Sequence, residues 1–256
     1  MTGPRVLFIN PPSVPYTFLA RSLGGEFVEL TQTVAMPMGI LYLSAVLERD
    51  LPSVDIRIVD IALAYRKACD AGMLVRQSVE DFSRSCLPVD FTPDLVGISV
   101  LFSTAHKTSV AIARAVKSVW PAVPVVVGGM HATNAVSALL SSPAVDLVCR
   151  GEAETTIVDL VRGARPVGYV GRENLDASRS CQLVVNLDEI PFPAWHLLPM
   201  GQYLYSVGRA HRLDAVDQDG VATIVTTRGC PFKCTFCASW TVHGREMRYR
   251  SVGNVV

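Results

Sequence analysis

The chain alternates between short apolar runs and stretches of helical periodicity, and this alternation limits its fold more than any other feature. Arg5-Val-Leu-Phe-Ile-Asn10 is the first apolar run and stops at Pro11-Pro12. Met38 to Asp50 places Ile40, Leu43 and Leu47 at helical spacing. Val54 to Asp60 alternates as a second strand, and Ala62 to Ser85 has a helical composition. Asp94 to Leu101 is a third strand. After it, Ser103 or Thr104 is placed to cap a helix burying Ile112, Val116 and Val119. Val123 to Val127 is a fourth strand, ended by Gly128-Gly129. Thr133 or Asn134 is then placed to cap a short helix. Asp146 to Cys149 is the fifth strand, followed by an acidic helix start at Glu152 and Glu154.

Uniformly apolar strands separated by helices predict a doubly wound α/β domain with a five-stranded parallel sheet covered on both faces. Ligands in such sheets lie beyond the carboxyl ends of the strands. The candidate ligand residues are therefore Asn10 and Pro11, Ser99, Leu101, Phe102 and Ser103, Gly128, Gly129 and His131, and Gly151 and Glu152. From Gly163 to about Gly220 the alternation fails. Pro166, Pro191, Pro193 and Pro199 punctuate the segment, and Tyr169 with Leu183 to Val185 is expected as a small hairpin. Trp195 and His196 are expected to pack between domains. Val221 to Thr226 is a new strand leading into Arg228-Gly229. The predicted division is an α/β domain at 1–165, a linker at 166–220 and a second domain starting at 221–256.

Composition removes several classes of function. Lys+Arg and Asp+Glu are both 23, so the formal net charge is zero. General nucleic-acid binding needs a basic surface to displace counterions. The hydrophobic fraction of 50% excludes intrinsic disorder. No apolar run approaches the roughly 18 residues that span a bilayer, and the N-terminus lacks the apolar stretch of a signal peptide. The cytoplasm is the expected compartment.

Cys69, Cys86, Cys149 and Cys181 are scattered and read as small core hydrophobes. Cys230, Cys234 and Cys237 are clustered, with C-x3-C-x2-C spacing on a loop after a strand. Three thiolates on one short loop can hold an inorganic iron–sulfur cluster. They leave one iron of a 4Fe–4S cube without a protein ligand, open to N and O atoms. Phe236, just before the last cysteine, is placed to shield such a cluster. Zinc is the competing reading, with His243 as a fourth ligand, but structural zinc sites favour four ligands in paired spacings. Arg245, Arg248 and Arg250 read as a solvated face or as salt-bridge partners.

Thr227-Arg-Gly-Cys-Pro-Phe-Lys-Cys-Thr-Phe-Cys237 resembles the cluster loop of the radical S-adenosylmethionine (SAM) superfamily. That resemblance covers about the last 36 residues. It implies that Cys230, Cys234 and Cys237 hold a 4Fe–4S cluster whose open iron chelates SAM, with Phe236 in the SAM vicinity. It also implies that SAM is cleaved to a 5′-deoxyadenosyl radical. A flavodoxin or ferredoxin would then be the electron donor.

A second resemblance covers the N-terminal part. Ser99-Val-Leu101, a 26-residue gap at 102–127, and Gly128-Gly129 are similar to the later parts of the cobalamin-binding domain signature. Met36 to Leu43 and Arg150-Gly-Glu-Ala-Glu154 also resemble segments of the cobalamin-dependent radical SAM class. The resemblance implies a Rossmann-like cobalamin-binding domain, then a linker and the beginning of a partial (β/α) radical SAM barrel. Its cofactors would be cobalamin, SAM and the cluster. The implied reaction is methyl transfer from methylcobalamin to an unactivated carbon of a small-molecule or natural-product substrate. Cyclisation or oxidation with the same cofactors is an alternative, as is a non-catalytic corrinoid-binding module. A nucleotide-binding α/β protein is disfavoured, because no phosphate-binding glycine loop follows the first strand. The cobalamin signature often begins with D-x-H-x-x-G, whose His ligates cobalt. Here the first loop reads Asn10-Pro-Pro-Ser-Val-Pro15, so base-off cobalamin without that His is implied. His131 is placed to hydrogen-bond the cofactor or to ligate cobalt, and His106 reads as surface. Phe102 reads as a ring near the corrin or as a core residue. Only 19 residues follow Cys237, at 238–256, so the remaining barrel is expected from further C-terminal sequence or another chain.

Overall fold

The computed structural model describes residues 3–26, 34–74, 76–175, 182–203 and 223–256. Its centre is a sheet of β1 (Arg5–Asn10), β2 (Asp55–Asp60), β3 (Leu95–Ser99), β4 (Val125–Gly128), β5 (Leu147–Cys149) and β6 (Tyr169–Val170). The order is β2-β1-β3-β4-β5-β6. The first five strands are parallel as expected. A sixth joins antiparallel, pairing Cys149 with Tyr169 and Val148 with Val170. Tyr169 therefore extends the main sheet instead of forming a hairpin with 183–185. The order in which strands are added reverses between β1 and β3, and this is where such sheets open a ligand crevice.

Side chains alternate across the strands. Leu7, Ile9, Val96, Ile98, Val125 and Val127 face one layer of helices. These are α1 (Tyr16–Leu23), α3 (Ile61–Asp70), α4 (Val79–Ser85), α5 (His106–Val119) and α7 (Val136–Leu140). Val6, Phe8, Leu95, Val126, Leu147 and Cys149 face the other layer, made by α2 (Met38–Asp50) and α8 (Ile157–Val161). Both faces are covered at the centre, which is why β1, β3, β4 and β5 read as apolar, while the edge strand β2 is only partly buried and alternates. Each fully buried Val, Leu or Phe contributes about 1.5–3 kcal/mol to this core. Cys149 is buried in it and Cys69 and Cys86 are half-buried, while Cys181 lies outside the described residues.

The helix starts differ from expectation because their polar side chains have long-range partners. Ser103 faces His131, and Thr104 donates to the Ser13 carbonyl, so neither caps α5. Thr133 receives the Gly151 N–H and Asn134 donates to Thr241, so neither caps α7. Glu152 and Glu154 precede α8, which begins at Ile157, and both turn to arginines of the C-terminal segment.

That segment holds a second, two-stranded sheet of β7 (Thr227–Arg228) and β8 (Arg248–Tyr249), paired antiparallel. The strand expected at Val221 to Thr226 falls later. Residues 221 and 222 lie outside the described residues, and 223–226 are irregular. Its edge is paired: β8 lies beside β7, and Arg250 N donates to the Thr226 carbonyl at 2.8 Å. Between the strands lie the three-cysteine loop and the short helix α9 (Trp240–His243).

Candidate functional site

A cavity of about 780 Å³ opens at the carboxyl edge of the sheet and runs down the face covered by α2 and α8. Its depth follows from missing side chains. On β3, Gly97 and Ser99 point to this face, and on β4 their neighbours in register are Val126 and Gly128. Gly97, Ser99 and Gly128 thus form a strip with almost no side-chain volume. A Cβ on Gly97 would lie 2.7 Å from the Phe8 ring. Met38, Ile40 and Leu43 of α2, Ile157 and Leu160 of α8, and Tyr169 of β6 close the walls. The cavity is largely apolar, with polar groups at the mouth.

The two glycines of Gly128-Gly129 do different work. A Cβ on Gly128 meets only Cys149 Cβ at 3.6 Å, an ordinary contact. Its lack of a side chain keeps the cavity open. Gly129 has φ +103°, and a Cβ there would lie 2.6 Å from the Val100 carbonyl oxygen. This glycine serves the tight passage from β4 into α6 (Met130–Asn134), beside the neighbouring strand's backbone.

Of the residues expected at a ligand, Asn10, Ser99, Leu101, Phe102, Gly128, Gly129, Gly151 and Glu152 line this cavity. Pro11 is buried in the loop beneath the mouth. Leu101 and Phe102 are each 57% exposed, so Phe102 is at the rim and not in the core. Asn10 donates from Nδ2 to Asp60 Oδ2 at 3.0 Å, and Tyr203 donates to the same oxygen at 2.6 Å. The Leu63 N–H donates to Asp60 Oδ1, so Asp60 also caps α3. Burial pushes the Asp60 carboxyl above its usual range, against the hydrogen bonds from Tyr203, Leu63 and Asn10.

Ser103 and His131 stand beside the cavity mouth. His131 Nδ1 lies 3.0 Å from Ser103 Oγ, and its Nε2 lies 2.8 Å from His106 Nδ1. The two imidazoles meet edge to face at 83°. Burial and the neighbouring His106 both lower the His131 pKa. Both ring nitrogens of His131 are thus engaged within the protein.

Glu152 is buried at the end of the cavity nearest the C-terminal segment, its side chain 1% exposed. Its Oε1 takes Arg248 Nη2 at 2.7 Å, and its Oε2 takes Arg248 Nη1 at 2.8 Å. His243 Nδ1 lies 2.9 Å from Oε1, and the Val184 N–H donates to Oε2 at 2.8 Å. Arg228 Nη2 donates to Glu154 at 2.6 Å, and its Nη1 lies 3.5 Å from Glu152. Burial alone would raise the Glu152 pKa, but Arg248, His243 and Arg228 outweigh it and hold the carboxyl at about 2. Of the arginines read as a solvated face or ion-pair partners, Arg248 is a buried ion-pair partner. Arg250 is buried against Asn254 and the Val225 carbonyl, and Arg245 stays exposed over Trp240.

Cys230, Cys234 and Cys237 are free thiols on one loop. The loop is closed at its base, where Gly229 has φ +94° and a Cβ would lie 1.9 Å from the Glu246 carbonyl oxygen. Cys237 Sγ lies 3.3 Å from Ser239 Oγ, and hydrogen bonds from the Ser239 hydroxyl and N–H lower its pKa. The donor chemistry fits an iron–sulfur cluster, which takes thiolates. Among the described residues no three His, Cys, Asp or Glu side chains are grouped to hold one metal ion, so the loop carries its donors without gathering them. Phe236, expected to shield them, is 91% exposed. Also among the described residues, no helix is long and apolar enough to cross a membrane.

Sequence reasoning missed Gly97 and Tyr169, while the α2 wall falls in the segment from Met36 to Leu43 that the resemblance covers. Gly97 was within reach of it, since strand periodicity puts residue 97 on the face of Ser99. It also missed Arg228 and Arg248 as the partners of Glu152 and Glu154, a pairing between residues 74 to 96 positions apart.

Comparison with known proteins agrees with this geometry. Residues 28–161 match the family described as the B12 binding domain. The chain is 30% identical to an uncharacterized methyltransferase of Pyrococcus horikoshii, over 98% of this chain and 49% of that protein. It is 28% identical to cytidylyl-2-hydroxyethylphosphonate methyltransferase of Streptomyces wedmorensis, over 86% of this chain and 47% of that protein. The chain thus spans about half the length of these curated relatives. Its fold resembles that of TsrM from Kitasatospora setae, a radical S-adenosylmethionine methyltransferase solved with cobalamin and a [4Fe-4S] cluster. The TM-score is 0.57 at 16% identity, over 99% of this chain and 44% of that one. With more than half of its residues in the matched domain and a glycine-lined cavity at the sheet's carboxyl edge, the chain belongs to the B12-binding domain family.

Proposed function

We propose that this chain is the cobalamin-binding part and the cluster-bearing segment of a radical SAM methyltransferase. One observation carries the reading: a single cavity is lined both by the sheet's carboxyl edge and by Arg228, Val242 and His243, which flank the cysteine loop. Two cofactors that must exchange reactive groups need sites that open on one space. The proposed division is 1–165, 166–220 and 221–256, with β6 (Tyr169–Val170) of the middle segment joining the first domain's sheet.

When bound, the cluster supplies the electron that cleaves SAM to a 5′-deoxyadenosyl radical, and cobalamin supplies the methyl group. The chain's own residues do the rest. Gly97, Ser99 and Gly128 leave room for a bulky planar cofactor and its tail, and the apolar walls of α2 and α8 exclude water from it. Asn10, Leu101, Phe102, Ser103, Gly129 and Gly151 surround the mouth, with Pro11 fixing the first loop. His131 braces the mouth through its contacts with Ser103 and His106. Cys230, Cys234 and Cys237 would supply the three thiolates that hold the cluster. Phe236 would cover the cluster once it is seated. The acceptor is a small molecule, and a flavodoxin or ferredoxin is the electron donor.

The test is anaerobic reconstitution with iron, sulfide and hydroxocobalamin, then desalting and an absorption spectrum. Corrin bands together with a broad cluster absorbance near about 400 nm are expected. The Cys230→Ala, Cys234→Ala, Cys237→Ala variant should keep the corrin bands and lose iron. Corrin retention without iron in the unaltered chain would reduce the reading to a non-catalytic corrinoid-binding module. Iron without corrin would remove cobalamin from it.

A further inference from the structure

We infer that Glu152 is a positioning residue for the cysteine loop, gripping the chain on both sides of it. The inference rests on the proposed cluster reading and extends it. The geometry is one-sided. Glu152 follows β5 of the B12-binding domain, yet its carboxylate is turned away from that domain's own polar groups. Oε1 is within 3.5 Å of Arg228, which stands two residues before Cys230. The same oxygen is 2.9 Å from His243, six residues after Cys237, and 2.7 Å from Arg248 on β8. Arg228 and Arg248 are opposite each other in the β7–β8 pairing. One carboxylate therefore ties the strand entering the loop to the helix and strand leaving it.

The remaining contacts fix that carboxylate in place. The Val184 N–H holds Oε2, and Arg248 bonds the Val184 and His243 carbonyls as well. Glu154 takes the other end of the Arg228 guanidinium. A bidentate guanidinium–carboxylate pair fixes orientation as well as distance. A loop that carries three thiolates between residues 230 and 237 needs fixed ends if they are to meet one cluster. Groups outside the ligand set that orient ligands change metal retention by about 10–100-fold when lost.

The test compares the unaltered chain with Glu152→Asp and His243→Gln after anaerobic reconstitution. Glu152→Asp keeps the charge but withdraws the carboxylate by one methylene, so it cannot reach both ends of the loop. His243→Gln serves as the milder change, because the His243 side chain is 34% exposed and its loss need not disturb the core. Thermal melting and corrin retention are measured first, then iron and sulfide per chain, then the electron paramagnetic resonance spectrum of the reduced cluster. The expected result is normal corrin retention, about tenfold lower iron retention in Glu152→Asp, and altered g-values in the residual cluster of both variants. Unaltered iron content and g-values in folded variants would overturn the inference. So would loss of corrin with an intact cluster signal, which would make Glu152 a cobalamin contact. An unaltered chain that holds no iron would overturn the cluster reading itself, and this inference with it.

Discussion

Glu152 and Arg248, 96 residues apart in the chain, meet in a two-point contact with both oxygens and both terminal guanidinium nitrogens engaged. Their side chains are 1% and 9% exposed. An ion pair so buried costs desolvation on both sides, and removing one partner leaves the other charged and unpaired. Glu152→Gln should therefore lose about 3–5 kcal/mol of unfolding free energy, read from denaturant midpoints at neutral pH.

The same pair sets an acid limit. The Glu152 carboxyl is held at about 2, below its ordinary 4.5. The unfolded chain then takes up the proton more readily than the folded one, so protonation favours unfolding. The stabilisation is complete above pH 4.5 and is lost as pH falls from there toward about 2. Unfolding midpoints across this window should drop more steeply for the unaltered chain than for Glu152→Gln. Parallel slopes would remove Glu152 as the source.

Gly128 and Gly129 should respond oppositely. Gly128→Leu finds space on the sheet face, so the chain should fold with a nearly normal melting temperature and fail to retain hydroxocobalamin. Gly129→Ala puts a Cβ 2.6 Å from the Val100 carbonyl at φ +103°. It should cost about 1–3 kcal/mol or more in stability. Equal corrin retention in Gly128→Leu and the unaltered chain would place the cofactor elsewhere.

Tyr203→Phe removes the phenol that donates to Asp60 at 2.6 Å. A buried carboxylate then loses one donor and keeps Asn10 and the Leu63 and Ala62 N–H groups. A loss of about 1–3 kcal/mol is expected in chemical denaturation. A loss below that range would mean that solvent replaces the phenol.

His131 has Ser103 at one ring nitrogen and His106 at the other. With both nitrogens taken, it is expected to brace the cavity mouth and not to ligate cobalt. The corrin absorption maxima of bound hydroxocobalamin should be the same in His131→Phe as in the unaltered chain. A shift toward a different axial coordination would show the opposite. Because burial and His106 hold the imidazole neutral, its contribution to stability should be present above about pH 6.5 and decline below it.

The parallel sheet was legible because burial on both faces forces nearly every strand residue to be apolar, and that pattern is local. The cysteine loop was legible because cluster ligands must be close in space, and here they are close in sequence. Gly128-Gly129 was visible as a pair, but the sequence did not separate a glycine that keeps a cavity open from one that lets the backbone turn. That distinction depends on what lies opposite each Cα, Cys149 for one and the Val100 carbonyl for the other. The helix caps were misread for a related reason. Ser103, Thr104, Thr133 and Asn134 have cap chemistry, but their partners come from other elements.

The alternating α/β layers, the sheet edge where a ligand belongs and the three thiols are local properties of the chain. Each of these is written in neighbouring residues with a fixed period. Glu152, which local chemistry assigns to a helix start, becomes an anchor for Arg228, His243 and Arg248 through long-range packing alone. A carboxylate is strongly perturbed only by charges within a few ångströms in a poorly solvated place, and folding alone brings residues 152, 228, 243 and 248 to that distance.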